Sequence, residues 1–209
     1  MKIYDITAEI SEHLPAYANG IERPAITTLA QLDKGDTCNL TRISVSAHTG
    51  THADMPLHFI SGGAACDEIP LEHFYGPAKV MRIAVESHVR KADLEPLDIR
   101  AGDIILLDTG QSAYMRCGKF KHDFLAFTLE AAEYLVEKKI KTIGIDYLSI
   151  DPYDSADYAV HKALLGNGIA ILEGLVLENV PEGMYTLSAL PLKIPNGDGS
   201  PVRAVLVGV

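Results

Sequence analysis

Nine short runs of β-branched or alternating apolar residues recur along the chain, at 2–6, 25–32, 39–47, 78–85, 103–108, 142–145, 169–172, 185–192 and 203–207. Runs of this length and composition read as strands, and so many of them commit the chain to a sheet-based fold. Helical signals are fewer. Thr128 suits an N-cap, Glu130 and Glu133 fall in the first turns, Leu129, Ala132 and Val136 recur at helical spacing, and Lys138 and Lys139 complement the C-terminal dipole. A second helix is expected over 157–165, stopped by Gly166. Helices interspersed with strands predict an α/β or α+β class with layered packing. Pro and Gly are scattered singly and no period of 20 to 50 residues repeats, so residues 1–209 are expected to form one domain.

Composition narrows the partners. Eighteen basic against 28 acidic side chains leave a formal net charge of −10, a field that repels phosphate backbones and anionic lipid. Neither nucleic acid nor a membrane surface is expected as a partner, and a small molecule is. The first dozen residues carry charges with no apolar core of a signal peptide, and no stretch of about 18 apolar residues occurs, which predicts a cytoplasmic protein. Three cysteines, Cys38, Cys66 and Cys117, form no CxxC pair and are expected as reduced, buried thiols.

Chemistry concentrates in one segment. His48, His52, Asp54 and His58 lie within eleven residues, although the whole chain has only 8 histidines. If 39–47 is a strand, His48 leaves it on the same side as Arg42, Ser44 and Ser46, away from the apolar face. Gly50 and Pro56 disfavour a continuous helix, so a turn is expected to fold His52 back beside His48, with Asp54 in reach. Two neutral imidazoles and a carboxylate offer three N/O ligands, a set suited to zinc or another divalent transition ion with an open position for water. Crowded imidazoles would repel one another below about pH 6.5 unless a partner compensated them, and a cation removes that conflict.

Two distant residues bear on the same site. His161, on the expected helix, is either a ligand or a polar-face histidine. Glu173 closes the apolar run 168–172 and either meets a cation, proton or donor there or marks where the strand reaches solvent. Other enzyme signatures are absent from the sequence: there is no GxSxG elbow, no GxGxxG and no Walker motif. The sequon at Asn39-Leu40-Thr41 reads as a strand fragment, and Asp198-Gly199 as a turn.

The run His48-Thr-Gly-Thr-His-Ala-Asp-Met-Pro-Leu-His58 resembles the HxGTHxDxPxH signature of the bacterial kynurenine formamidase and cyclase family of metal-dependent hydrolases. Further matches lie at 161–169, at 171–175 around Glu173 and at 191–204, so the resemblance spans nearly the whole chain. It implies a layered β/β/α swivelling fold, a mixed sheet with outer helices, assembled as a homodimer or higher homo-oligomer. By the same resemblance His48, His52 and Asp54 would hold one metal ion, while Asp54, His161 and Glu173 would complete a two-metal site. Two Zn2+ per subunit are implied, with Mn2+ as the other candidate. His58 would be the proton donor/acceptor beside a metal-activated water. Tyr17 stands where kynurenine formamidases carry a substrate-lining tryptophan; this chain has no Trp, and residues 18–20 also depart from the family pattern. The implied activity is arylformamidase, hydrolysing N-formyl-L-kynurenine to L-kynurenine and formate in tryptophan catabolism. The alternatives are hydrolysis of another cyclic or aryl amide, such as isatin-like ring opening, and a non-catalytic metal-binding protein.

Overall fold

Strands β5 (Tyr75–Arg82), β6 (Ile104–Asp108), β7 (Thr142–Ile145) and β8 (Ala170–Glu173) lie side by side and parallel. The last three are buried at every position, which is why they read as unbroken apolar runs rather than alternating ones. The computed structural model describes residues 1–11, 13–17, 23–117 and 120–208. In chain order the remaining elements are β1 (Lys2–Asp5), β2 (Ala25–Ala30), β3 (Leu40–Ser44), β4 (His52–Asp54), α1 (Lys91–Leu94), α2 (Leu129–Lys138), α3 (Ala159–Leu165), β9 (Gly183–Ser188), β10 (Gly199–Pro201) and β11 (Val205–Gly208).

Nine strands form one mixed sheet in the order β1-β11-β9-β5-β6-β7-β8-β4-β10. Alternation along the parallel strands separates two cores. Ile105, Leu107, Ile143, Ile145 and Ile171 face the helices, where they meet Ala131, Leu135, Val160 and Leu164. Ile104, Leu106, Ala170 and Leu172 face the other way, into a second core with Ile6, Met55, Phe74, Leu187 and Leu206. The sheet curls around that second core: Ile6 N donates to Ala204 O, and Val176 N to Ile6 O, so residues following β1 bridge the β11 side to the β8 side. The result is the expected β/β/α layering, with the site-bearing strands β4 and β8 at one edge of the parallel block.

Local expectations fare unevenly. Thr128 caps α2, its hydroxyl accepting from Ala131 N at 3.3 Å. The helix expected over 157–165 starts at Ala159. The run 39–47 is strand only to Ser44, and β3 pairs with β2 in a separate two-stranded ribbon. Ile26, Leu29, Leu40 and Ile43 of that ribbon are exposed, so it leaves apolar side chains uncovered by the described residues. Of the three cysteines, none in a disulfide, only Cys66 is buried; Cys38 and Cys117 are exposed, since both sit in loops rather than under the sheet. The tripeptide 18–20 lies outside the described residues.

Candidate active site

A turn spans the gap between His48 and His52, and the residues after it, His52–Asp54, form a strand that the sequence reading did not anticipate. The chain leaves β3, turns so that Thr49 N reaches Ser46 O at 3.2 Å, and passes through Gly50 at φ 64°. It then enters β4, which pairs antiparallel with β8 and places His52 directly opposite Glu173. Cross-strand partners share a face, as do residues two apart on one strand. His52, Asp54 and Glu173 therefore converge, all three at most 3 % exposed. His48 is positioned by the turn rather than by strand alternation, and its ring packs edge-on against His52 with centroids 5.2 Å apart. Pro56 opens a 3-10 turn ending at His58, which stacks on His48 with centroids 3.9 Å apart.

α3 delivers His161 from above. Asp151 caps this helix, accepting from Val160 N and His161 N, and it also accepts from His161 Nδ1 at 2.5 Å. His52 Nδ1 similarly donates to Gly50 O at 2.9 Å. With Nδ1 occupied as a donor on both rings, each Nε2 is turned inward. His52 Nε2 lies 3.4 Å from both Asp54 Oδ1 and Glu173 Oε2, and His161 Nε2 lies 3.3 Å from Asp54 Oδ2 and 3.2 Å from Glu173 Oε1. Two ligand atoms each about 2.0–2.1 Å from one tetrahedral ion stand about 3.3–3.4 Å apart, so these spacings suit donors gathered around a cation. Asp54 Oδ2 is buried with no hydrogen-bond partner among the described residues, an orphan that an ion would satisfy. His52, Asp54 and Glu173 form one group able to hold an ion, and His48, Asp54 and His58 another, with Asp54 common to both.

The charge balance points the same way. Burial alone would depress His52, but the facing carboxylates of Asp54 and Glu173 override it and push its pKa up to about 10. Burial likewise opposes His161, yet Asp151, Asp54 and Glu173 hold it well above the ordinary value. Burial would raise Asp54, but His161, His48 and His52 hold it well below the carboxylate range. The cluster thus demands positive charge at its centre, as protons or as a metal ion. His58 behaves oppositely: burial dominates and lowers its pKa.

The site residues expected from the sequence, Tyr17, His48, His52, His58, His161 and Glu173, all border one cavity of about 280 Å³, and Asp54 is buried behind His52 and His48, which it contacts. Tyr17 lines it, edge-on to Phe120 at 5.0 Å and tilted against Tyr153 at 5.7 Å. Phe59 and Tyr158 line it too, their rings 4.8 Å apart. The enclosed hydroxyls of Tyr17 and Thr49 lack hydrogen-bond partners among the described residues. Two acids escaped the sequence reading. Asp151 orients His161, and its only local signal is its place ten residues before that histidine. Asp198, read as a turn, puts Oδ2 3.0 Å from His48 Nε2 and 3.4 Å from His58 Nδ1; its presence in the matched stretch 191–204 was the available clue.

Comparison with known proteins gives a consistent picture. The sequence matches the family described as "Putative cyclase" across residues 4–152. It is 37 % identical over 207 residues to a kynurenine formamidase of Salinibacter ruber, covering 99 % of this chain and 97 % of that one. The fold superposes with a TM-score of 0.87 on a potential metal-dependent hydrolase with cyclase activity, 38 % identical, covering 98 % of this chain and 96 % of the other. It also superposes with a TM-score of 0.82 on isatin hydrolase A from Labrenzia aggregata bound to benzyl benzoate, 28 % identical, covering 98 % and 93 % of the two chains.

Proposed function

The chain belongs to the cyclase family of metal-dependent hydrolases, and from that premise we propose that it is an arylformamidase cleaving N-formyl-L-kynurenine to L-kynurenine and formate. That it is a metal-dependent amide hydrolase follows from its relatives. The observation carrying the proposal is the donor set of β4, β8 and α3, with its orphaned Asp54 oxygen, opening onto a cavity lined by three aromatic rings, Tyr17, Phe59 and Tyr158. In this reading His48, His52 and Asp54 hold one ion, and Asp54, His161 and Glu173 the second. The all-N/O ligand set supports Zn2+, with Mn2+ as the competitor. When bound, the ions would acidify water and polarise the amide carbonyl.

The chain's own residues do the rest. A cavity of about 280 Å³ is near the lower end of the roughly 300–1,000 Å³ usual for ligand sites, a size for a single-ring amide rather than a peptide. Tyr17, Phe59 and Tyr158, which line the cavity, would pack against the aryl ring. The unpartnered hydroxyls of Tyr17 and Thr49 would take up the substrate's polar groups. Burial keeps His58 neutral at neutral pH, so it can accept a proton from water and return it to the leaving aniline nitrogen. Breaking the C–N bond then releases the arylamine and formate.

Incubating metal-loaded protein with N-formyl-L-kynurenine, isatin and simple aryl formamides tests the reading. Release of kynurenine and formate, faster than isatin opening, is expected. Preference for isatin would favour the ring-opening alternative, which the likeness to an isatin hydrolase supports. No turnover of any of the three would leave a metal-binding protein. Four further parts belong to the same proposal. Residues 1–209 act as one domain, supported by β1 and β11 pairing the two ends of the chain into one sheet. The exposed apolar β2-β3 ribbon supports a homodimer or higher homo-oligomer, to be checked by light scattering. The absence of a disulfide among the described cysteines supports a reducing, cytoplasmic setting. No described helix is long and apolar enough to cross a membrane.

A further inference from the structure

We propose that Asp198 is a positioning residue that fixes both stacked imidazoles of the site, holding His58 for proton transfer and His48 for ligation. Its Oδ2 is shared between His48 Nε2 at 3.0 Å and His58 Nδ1 at 3.4 Å. A carboxylate only accepts, so His48 Nε2, hydrogen-bonded to it, is an N–H, and His58 Nδ1, at ion-pair distance from the same oxygen, is the nitrogen whose N–H the carboxylate would draw toward itself. His58 is thereby left with Nε2 to exchange a proton at the cavity, while His48 Nδ1, which also faces a carboxylate, Asp54 Oδ1 at 2.8 Å, must shed its proton to ligate an ion. Backing a ligating or proton-transferring imidazole with a carboxylate sets its tautomer and orientation.

The surrounding backbone holds Asp198 in that place. Its carbonyl accepts from Met55 N at 3.1 Å, in the segment that links His52 to His58, and Gly197 O accepts from Cys66 N at 2.9 Å. The next residue, Gly199, pairs with Asp54 across β10 and β4. A methyl group there would lie 2.6 Å from His48 Cε1, so β10 rests directly against the ring that Asp198 grips. Among the described residues, Asp198 is the one carboxylate paired with His58. Its side chain is 48 % exposed, at the rim of the site, so substituting it spares the core.

The inference rests on the proton-transfer reading of His58, and a double-mutant cycle separates the two. Asp198→Ala, Asp198→Asn, His58→Ala and His58→Ala/Asp198→Ala would be compared for kcat and KM on N-formyl-L-kynurenine, and for Zn2+ affinity by chelator competition. Removing such a partner costs about 10–100-fold in affinity or activity. Asp198→Ala should lower kcat by about 10–100-fold with little change in KM, and weaken Zn2+ by a similar factor through His48. Asp198→Asn, which keeps an accepting oxygen, should recover part of both. In the His58→Ala background the kcat effect of Asp198→Ala should vanish while the affinity effect persists. An equal kcat loss in that background, or Zn2+ affinity and kcat both unchanged in Asp198→Ala, would overturn the assignment. Normal turnover by His58→Ala would instead remove the role given to His58, and the affinity change alone would then decide on Asp198.

Discussion

Asp54 reaches three imidazoles at once, His48 and His52 through Oδ1 and His161 through Oδ2, and no other described side chain does so. If it is the ligand common to two ions, Asp54→Asn keeps the volume but withdraws the charge that both ions need. Both should be lost together, with activity falling by more than the about 10–100-fold typical of an outer partner. Elemental analysis giving one retained ion per chain would contradict the shared role. His58 makes a different prediction. It lies in the same loop but is lowered rather than raised by its surroundings, so it is poised to exchange protons rather than to hold one. His58→Ala should keep the metal content of the parent protein and lose about 10²–10⁴-fold in kcat, the usual contribution of general acid–base catalysis. A rate within a few-fold of the parent protein would remove it from the mechanism.

At the scale of elements, the site depends on β7 letting its neighbours close up. Gly144 in β7 has no side chain because a methyl group there would stand 2.6 Å from Leu106 Cδ2 and 2.6 Å from Leu175 Cδ1. Gly144→Ala should therefore destabilise the protein by about 1–3 kcal/mol, the usual cost of overpacking a dense core. Urea unfolding checks this, and an unchanged midpoint would mean that Leu106 and Leu175 have room to move. Elements like β7 were legible because local rules suffice: 142–145 is a β-branched run, and α2 carries its own cap and periodicity. β4 and β10 were not, since three residues make no recognisable run and exist as strands only through pairing with β8 and with each other. The ligand candidates could be found from histidine density and the signature they share with known hydrolases. Asp198 and Asp151 were harder, because their partners lie 150 and 10 residues away; the family-like stretch 191–204 marked the neighbourhood of Asp198 but not its contact, and Asp151 had no such mark.

For the molecule as a whole, the metal-site histidines couple folding to pH with a definite sign. His52 titrates near 10 in the folded chain, against about 6.5 when unfolded. His161 is raised in the same direction. A group whose folded pKa is raised contributes stability that is complete below the unfolded value and is lost as pH climbs through the folded one. Asp54, lowered in the fold, contributes above about pH 3.8 and loses its share only on acidification. Metal-free protein should therefore lose the share of stability due to these histidines as pH rises from about 6.5 to 10. Metal ligation requires the same nitrogens to shed their protons, so divalent ions bind more tightly as pH rises, and binding to the folded state alone adds stability by mass action. The difference in Tm between metal-loaded and metal-free protein should widen steadily from pH 6 to pH 9. Taking the difference cancels every titrating group remote from the site, which makes its slope a direct report on the cluster. An increment that stayed flat or shrank over that range would mean that the imidazoles of β4 and α3 are not what the ion displaces protons from.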